Sequence, residues 1–372
     1  MGEYSMKAGL GEQAILRIAH SIKACDASFK VSRFRSMCLD GLEELELKQR
    51  VDHIIVSLGK HLPQDFVKTS KILLKLPKHW DFGDPKDSMS GFAAWPVIDF
   101  VAAKGLEHPE LGLKCLENLT ALFSAEFAIR PFILAHPELC HSTFLEWCGH
   151  GDHHVRRLVS EGTRPRLPWG KQLKPFIEDP KTNIVLLEAL RLDESPYVRK
   201  SVANHLNDIG KDHPELLLEI CKVWKNEDGG KSDKLIKHAL RSLVKAGHPD
   251  SFPLLGFTKK PKLVLKHFKL SHSSLKLGER MGLELELEAM KPSEKFVLDY
   301  AIHFVKANGK TSPKVFKWKD VEVSHELPHV LNLNKQHHIK AITTRAYYPG
   351  EHHIAIHING VEWARESFEL RL

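Results

Sequence analysis

The 372-residue sequence predicts a mainly α-helical chain that ends in a β-sandwich, and three observations carry that expectation. From Gly11 to about Phe257, apolar residues recur at helical spacing, interrupted at Pro or Gly and almost never alternating. Within that stretch His-Pro-Glu-Leu begins at His108, His136 and His213, and a variant His-Pro-Asp begins at His248, each after one helix-like segment and before another. Beyond Gly256 the apolar period falls to two, in short segments separated by turn residues.

The elements follow in order. DGLEELELKQRVDHIIVSLGKHLP is amphipathic and suits a terminal repeat with a polar outer face, its Glu43, Glu44 and Glu46 solvated. Residues 78–90, with Gly83, Pro85 and several Asp, read as a surface loop. Val155 and Val198 open similar Val-Arg-Arg/Lys stretches about 43 residues apart, and His213 and His248 are about 35 apart, both within the range of two-helix HEAT-type repeats. An ordinary bundle with Pro-initiated helices is the plainer alternative, because Pro favours the first helical position anyway. The expected organisation is a HEAT-like helical-repeat solenoid over residues 6–257 and an immunoglobulin-like β-sandwich with a basic lead-in over 258–372. In the second part TKKPKLVLKHFKLSHSSLKLG reads as a linker or first strand. LELELEA from Leu283, FVLDYAIHFVKA from Phe296, KVFKWKDVEV from Lys314, HIKAIT from His338 and HIAIHING from His353 read as strands.

Bulk properties narrow the function. A net charge of +7 allows a nucleic-acid partner without requiring one. The six cysteines are scattered without a C-x-x-C pair, which points to reduced thiols in a cytosolic compartment. No apolar run approaches the roughly 20 residues that span a bilayer, and no basic-then-apolar leader is evident, so neither membrane nor export is expected. There is no GxGxxG, no GxxxxGK[ST] and no G-x-S-x-G, which leaves dinucleotide, nucleoside-triphosphate and serine-hydrolase readings without support. Cys148, His150, Asp152, His153 and His154 are ligand types, but they lack an i, i+4 His pair and a matching second pair; no metal and no cofactor is expected.

The informative residues lie in the helical part. In PYVRKSVANHLND, Val198, Val202, Leu206 and Ile209 share one face, while Lys200, Asn204 and Asp208 recur on another, so a cation, an amide and a carboxylate line one polar stripe. Such a stripe suits a negatively charged polymer, with the carboxylate kept for chemistry. Glu126 stands among Phe123, Phe127 and Ile129, an apolar setting that an acid enters only for a reason; an intrahelical pair with Arg130 is the structural alternative. Asp208 sits near a helix C-terminus, where the dipole disfavours it. Glu161 has Arg157 four residues before and Arg164 three after, so it either orients those arginines or acts directly. Trp169, after Leu167-Pro168, is either a core aromatic at a loop corner or an indole presented for stacking. Arg157, Arg164, Arg166, Arg199 and Lys200 are candidate phosphate contacts, and Asn204 a local or sugar contact.

Two stretches, EGTRPRLPWG from Glu161 and VRKSVANHLNDIGKDHPEL from Val198, resemble the AlkC branch of the DNA alkylation repair proteins, HEAT-like-repeat alkylbase DNA glycosylases related to AlkD. DGLEELELKQRVDHI and LTALFSAEFAIRPFI around Glu126 share the resemblance, which covers most of the helical part. The sandwich resembles the immunoglobulin-like extension of some members. The resemblance implies a monofunctional glycosylase that hydrolyses the N-glycosidic bond of cationic N-alkylated bases, N3-methylated ones foremost, in double-stranded DNA and without base flipping. It implies Glu126 and Asp208 facing the lesion deoxyribose with Glu161 and Trp169 beside it. A monomer in a bacterial cytoplasm, nucleoid-associated when bound to DNA, fits this reading. The rival is a noncatalytic scaffold of helical repeats that binds DNA or protein.

Overall fold

The structure, a computed structural model, describes residues 6–324, 329–342 and 345–372. The chain divides into two compact units, Met1–Ile209 and Gly210–Leu372.

The first unit is helical. Its elements are α1 (Glu12–Cys25), α2 (Val31–Leu39), α3 (Leu47–His61), α4 (Phe66–Leu73), α5 (Trp95–Gly105), α6 (Pro109–Leu119), α7 (Ile129–Ala135), α8 (Pro137–Trp147), α9 (His153–Gly162), α10 (Lys174–Glu178), α11 (Lys181–Leu190) and α12 (Pro196–Ile209). Local chemistry sets several starts. Glu46 and Gln49 form a reciprocal capping box at α3, and the Asp65 and Asp152 carboxylates cap α4 and α9. Leu10, Ile15, Ile18, Phe34, Ile54, Leu58, Ile98 and Leu116 are among the fully or almost fully buried side chains that hold these helices together.

The His-Pro-Glu-Leu motif is a structural punctuation mark. His108 and His136 cap α6 and α8 with nearly the same backbone, φ −130° and −136° with ψ 64° and 60°, and His213 repeats it in the second unit at φ −130°, ψ 66°. Proline then takes the first helical position, and glutamate follows where the helix dipole favours an acid. The variant at His248 behaves differently: the short helix after it begins only at Ser251, with Asp250 as its cap.

The second unit contains α13 (Pro214–Glu227), α14 (Asp233–Ala239), α15 (Arg241–Lys245), α16 (Ser251–Leu254) and strands β1 (Leu263–Leu270), β2 (Ser274–Lys276), β3 (Arg280–Ala289), β4 (Lys295–Val305), β5 (Thr311–Glu322), β6 (His329–His338), β7 (Gly350–Ile358) and β8 (Val361–Arg371). The change from helix to strand falls between Leu254 and Leu263, near the expected residue 257, but α13–α16 group with the strands. At one contact, Gly247 and Gly360, both at positive φ, approach so closely that a Cβ on Gly360 would lie 2.1 Å from the Gly247 Cα. Only glycines permit that approach.

The strands form a three-stranded sheet, β1-β3-β6, and a five-stranded sheet, β2-β8-β7-β4-β5, in which only the β2–β8 pair is parallel. Alternation places Leu283, Leu285 and Leu287 of β3 and Leu298, Tyr300 and Ile302 of β4 in one core between the sheets. The basic lead-in supplies β1 and β2. HIKAIT adds only its first residue, His338, to a strand: the pairing segment is VLNLNKQHH, which ends at that residue and matches β3 residue for residue, while Ile342 keeps one isolated bridge to Arg345 and Thr343 lies outside the described residues. Alternation was present in both segments, and the register with β3 decided between them. β8, unmarked in the sequence reading, closes against β7.

Candidate functional site

In the first unit α9 packs against α12. α9 ends at Gly162, where a Cβ would meet Ile129 Cγ2 of α7 at 2.5 Å, so the lack of a side chain lets α7 close onto the end of α9. Arg157 and Glu161 lie one turn apart on α9, and the chain then turns through the proline-stiffened Arg164–Gly170 loop.

These elements converge on a ladder of alternating charge. Arg157 Nη1 lies 2.6 Å from Glu126 Oε2, and Nη2 lies 3.5 Å from Glu161 Oε1. Arg164 Nη1 donates to that same Glu161 oxygen at 2.6 Å, and its Nε donates to Asp208 Oδ2 at 2.8 Å. Ser124 Oγ donates to Glu126 at 2.8 Å and Ser201 Oγ to Glu161 at 2.6 Å. Side-chain exposure falls along the ladder, from 16 % at Glu126 to 7 % at Glu161 and none at Asp208. Glu126, Glu161 and Asp208, far apart in sequence, thus share one site with Arg157 and Arg164 between them.

The electrostatics are balanced. Burial pulls the pKa values of Arg157 and Arg164 down, but Glu161 with Glu126 in one case and Asp208 in the other outweighs it and holds both guanidinium groups above their usual range. Arg130 behaves oppositely: burial and then the Arg164 charge lower it to about 10. His205, fully buried behind the ladder, is pushed down to about 4 by burial, although its Nδ1 is 2.9 Å from the Ser160 carbonyl. Arg157 also lies 4.9 Å over the Tyr197 ring, a cation–π contact.

Several sequence expectations change here. Glu126 is not helical; it lies in the turn before α7, and its partner is Arg157 rather than Arg130. Arg157 and Arg164, read as phosphate forks, are engaged by carboxylates inside the ladder, because each buried acid needs a compensating charge. Arg199 is half-buried and donates to the Asp193 and Glu194 carbonyls. Arg166 and Asn204 are half-buried, and Lys200 is exposed. The Lys200–Asn204–Asp208 stripe therefore runs from solvent into the core.

Trp169 is no core aromatic: it is 58 % exposed and sits at φ +65°, a region that costs a bulky residue roughly 1–3 kcal/mol. Tyr197, Arg130, Lys48, Ser124 and Ser201 went unmarked as site residues. Arg130, like Glu126, is a charge in an apolar stretch and is marked by the same signal; Lys48, distant in sequence and on the amphipathic α3, whose cations outnumber its one acid, carries no such signal. Of the five metal-ligand types in the 148–154 stretch, Asp152, His153 and His154 bring ligand atoms within 4.8 Å of one another. Asp152 is occupied as the α9 cap, and His150 faces Glu117 at 3.5 Å. Among the described residues no helix is long and apolar enough to cross a membrane.

Comparison with known proteins adds three findings. Residues 264–372 match the family model of the uncharacterised protein YhaZ C-terminal Ig-like domain. The uncharacterized protein YhaZ of Bacillus subtilis (strain 168) is 35 % identical over 350 residues, 94 % of each chain. The structure is similar to that of the Pseudomonas fluorescens alkylpurine DNA glycosylase AlkC bound to DNA containing an abasic site analog, with a TM-score of 0.89 and 35 % identity over 99 % of this chain and 100 % of that one. Identity at this level over nearly the whole length, with helical repeats and Ig-like domain in the same order, means that this chain belongs to the AlkC-type family of DNA alkylation repair proteins.

Proposed function

We propose that this protein is a monofunctional DNA glycosylase that hydrolyses the N-glycosidic bond of cationic N-alkylated bases, N3-methylated bases foremost, in duplex DNA without flipping the base. The observation that carries this reading is the acid ladder beside an exposed tryptophan, in a chain 35 % identical to a structurally similar alkylpurine DNA glycosylase.

Alkylation of a ring nitrogen makes the base a cationic leaving group that needs no protonation. The remaining demands are to stabilise positive charge developing at C1′ and to orient the attacking water, and carboxylates in a preorganised, partly dehydrated setting meet both. Glu126, the most exposed acid of the ladder, is suited to direct contact with the sugar. Asp208 is fully buried under Arg164, so its part begins when a DNA phosphate competes for that guanidinium and draws it away. Before DNA arrives, Arg157 and Arg164 suppress the mutual repulsion of the acids and their repulsion of a polyanion. Trp169 contacts the lesion nucleotide, with exposed Lys200 and half-buried Arg166 and Arg199 near the backbone. The complete pairing of the acids also favours a second reading, a buried structural ion network in a noncatalytic DNA- or protein-binding scaffold.

Single-turnover release of free base from methylated duplex DNA separates the two. Release by the wild type, lost by orders of magnitude in Glu126→Gln and Asp208→Asn with DNA affinity retained, supports the glycosylase. Tight binding without release returns the carboxylates to structure.

A further inference from the structure

Trp169 holds its left-handed backbone in a loop that two distant cations fasten at both ends and at its tip. Arg130 of α7 is 1 % exposed; its Nε donates to the Lys171 carbonyl at 2.6 Å, and its Nη1 donates to the carbonyls of Gly162 and Arg164, both at 2.9 Å. These acceptors stand on either side of Trp169 in sequence, so one guanidinium closes the loop. Lys48 of α3, 121 residues away, donates its Nζ to the carbonyl of Trp169 itself at 3.0 Å. The same ammonium lies 6.0 Å from the Phe127 ring, and Phe127 follows Glu126 in the turn that carries the outermost acid. Phe127 is in turn fixed by Trp95 at 5.4 Å, whose indole donates to Asp99 at 2.8 Å.

We propose that Lys48 and Arg130 are positioning residues that hold the Trp169 loop in register with the acid ladder. The proposal rests on the reading of Trp169 as a contact to the lesion nucleotide. An exposed tryptophan at positive φ relaxes unless its surroundings over-determine it, and these carbonyl contacts supply that constraint. The Arg130 fork meets three carbonyls at fixed angles, which a lysine in its place does not reproduce. Lys48 acts through the backbone of Trp169, not as a phosphate contact, and fixes the distance between the indole and Glu126.

Two measurements on the full-length protein test this. The first is hydrogen exchange of the Gly170 and Leu173 amides, which bond to the Leu167 and Pro165 carbonyls at 3.1 Å within the loop, in wild type, Lys48→Met and Arg130→Lys. The second is the single-turnover excision rate at saturating DNA for wild type, Lys48→Met, Trp169→Ala and the double variant. Lys48→Met is expected to speed loop exchange roughly tenfold without moving the global unfolding midpoint, since one charge-assisted hydrogen bond is lost. It slows excision roughly tenfold in the wild-type background and not at all beside Trp169→Ala. Unchanged loop exchange in Lys48→Met, or equal slowing in both backgrounds, overturns the proposal and makes Lys48 a direct DNA contact. If Arg130→Lys does not fold, the Lys48 series decides alone. Loop exchange that rises while Trp169→Ala excises at the wild-type rate keeps the clamp and removes the lesion contact, so the two claims fail separately.

Discussion

Arg164 covers Asp208. Its Nε lies 2.8 Å from Oδ2 of a carboxylate with no solvent exposure, and its Nη1 is committed to Glu161 at 2.6 Å. One side chain at the start of the Trp169 loop therefore pairs with two buried acids, one from α9 and one from α12.

Removal of that side chain takes a guanidinium from both acids: Asp208 loses its Nε contact in a site closed to solvent, while Glu161 keeps Arg157 and Ser201. Arg164→Met is expected to cost about 3–5 kcal/mol of stability, whereas Asp208→Asn, whose amide oxygen still accepts from Nε, costs less. Urea unfolding of the two variants measures this; equal losses, or a loss under about 1 kcal/mol for Arg164→Met, mean that the pair is not buried in solution.

Glu126 stands at the open end of the ladder and separates stability from chemistry. Glu126→Gln retains a side-chain oxygen for Ser124 and Arg157 and is expected to shift stability by less than about 1 kcal/mol while base release falls by at least about a hundredfold. Parallel loss of folding and rate would make Glu126 a structural partner of Arg157.

His205 makes stability depend on pH in one direction. Its pKa in the fold is about 4, below the unfolded value of about 6.5, because the buried site opposes the charged ring. Between those limits the unfolded chain binds the extra proton. The contribution is therefore fully present above about pH 6.5 and is lost as pH falls toward 4, by up to about 3 kcal/mol. His205→Asn, whose amide Nδ2 can serve the Ser160 carbonyl in place of Nδ1, should flatten this part of the profile. Asp99, raised to about 7 mainly by burial, and His337, lowered to about 4 mainly by burial, titrate in both proteins, so the difference between their urea midpoints at pH 7 and pH 4.5 isolates His205.

Gly162 measures how tightly α7 closes on α9. Gly162→Ala places a methyl group 2.5 Å from Ile129 Cγ2, an overlap expected to cost about 1–3 kcal/mol. Ile129→Val removes a methyl group in the same contact region; if the double variant is no more stable than Gly162→Ala, the overlap is relieved elsewhere.

Trp169 carries backbone strain at the candidate site. Trp169→Gly is expected to leave stability unchanged or raise it by up to about 1 kcal/mol, since glycine adopts φ +65° freely, while excision falls at least about tenfold. A large loss of stability on calorimetry would show that the indole packs into the fold.

Much of the architecture was legible in local pattern. Helical periodicity, the His-Pro-Glu-Leu starts and the fall to period two identify repeats followed by a sandwich, because these signals are satisfied within a few residues of chain. Strand register was less legible: HIKAIT alternates as well as its neighbour does, and only pairing with β3 distinguished them. The helix-start signal at His248 failed because α16 starts only at Ser251.

The sequence by itself determined which residue types could do chemistry: an acid in apolar surroundings at Glu126, an acid at a disfavoured helix C-terminus at Asp208, arginines around Glu161, and a tryptophan behind proline. The tertiary structure decided their partners, except at Glu161, whose arginines four residues before and three after were already given by spacing along the chain. Arg157 and Arg164 turned inward to the acids rather than outward to phosphate, Asp208 became the buried end of a ladder whose open end is Glu126, and Arg130 left Glu126 to hold the Trp169 loop. The physical reason is that a charge's role depends on which counter-charge and how much water stand beside it. For Glu126, Asp208 and the Trp169 loop, residues about 30 to 120 positions apart supply both, and helical spacing carries no information about them.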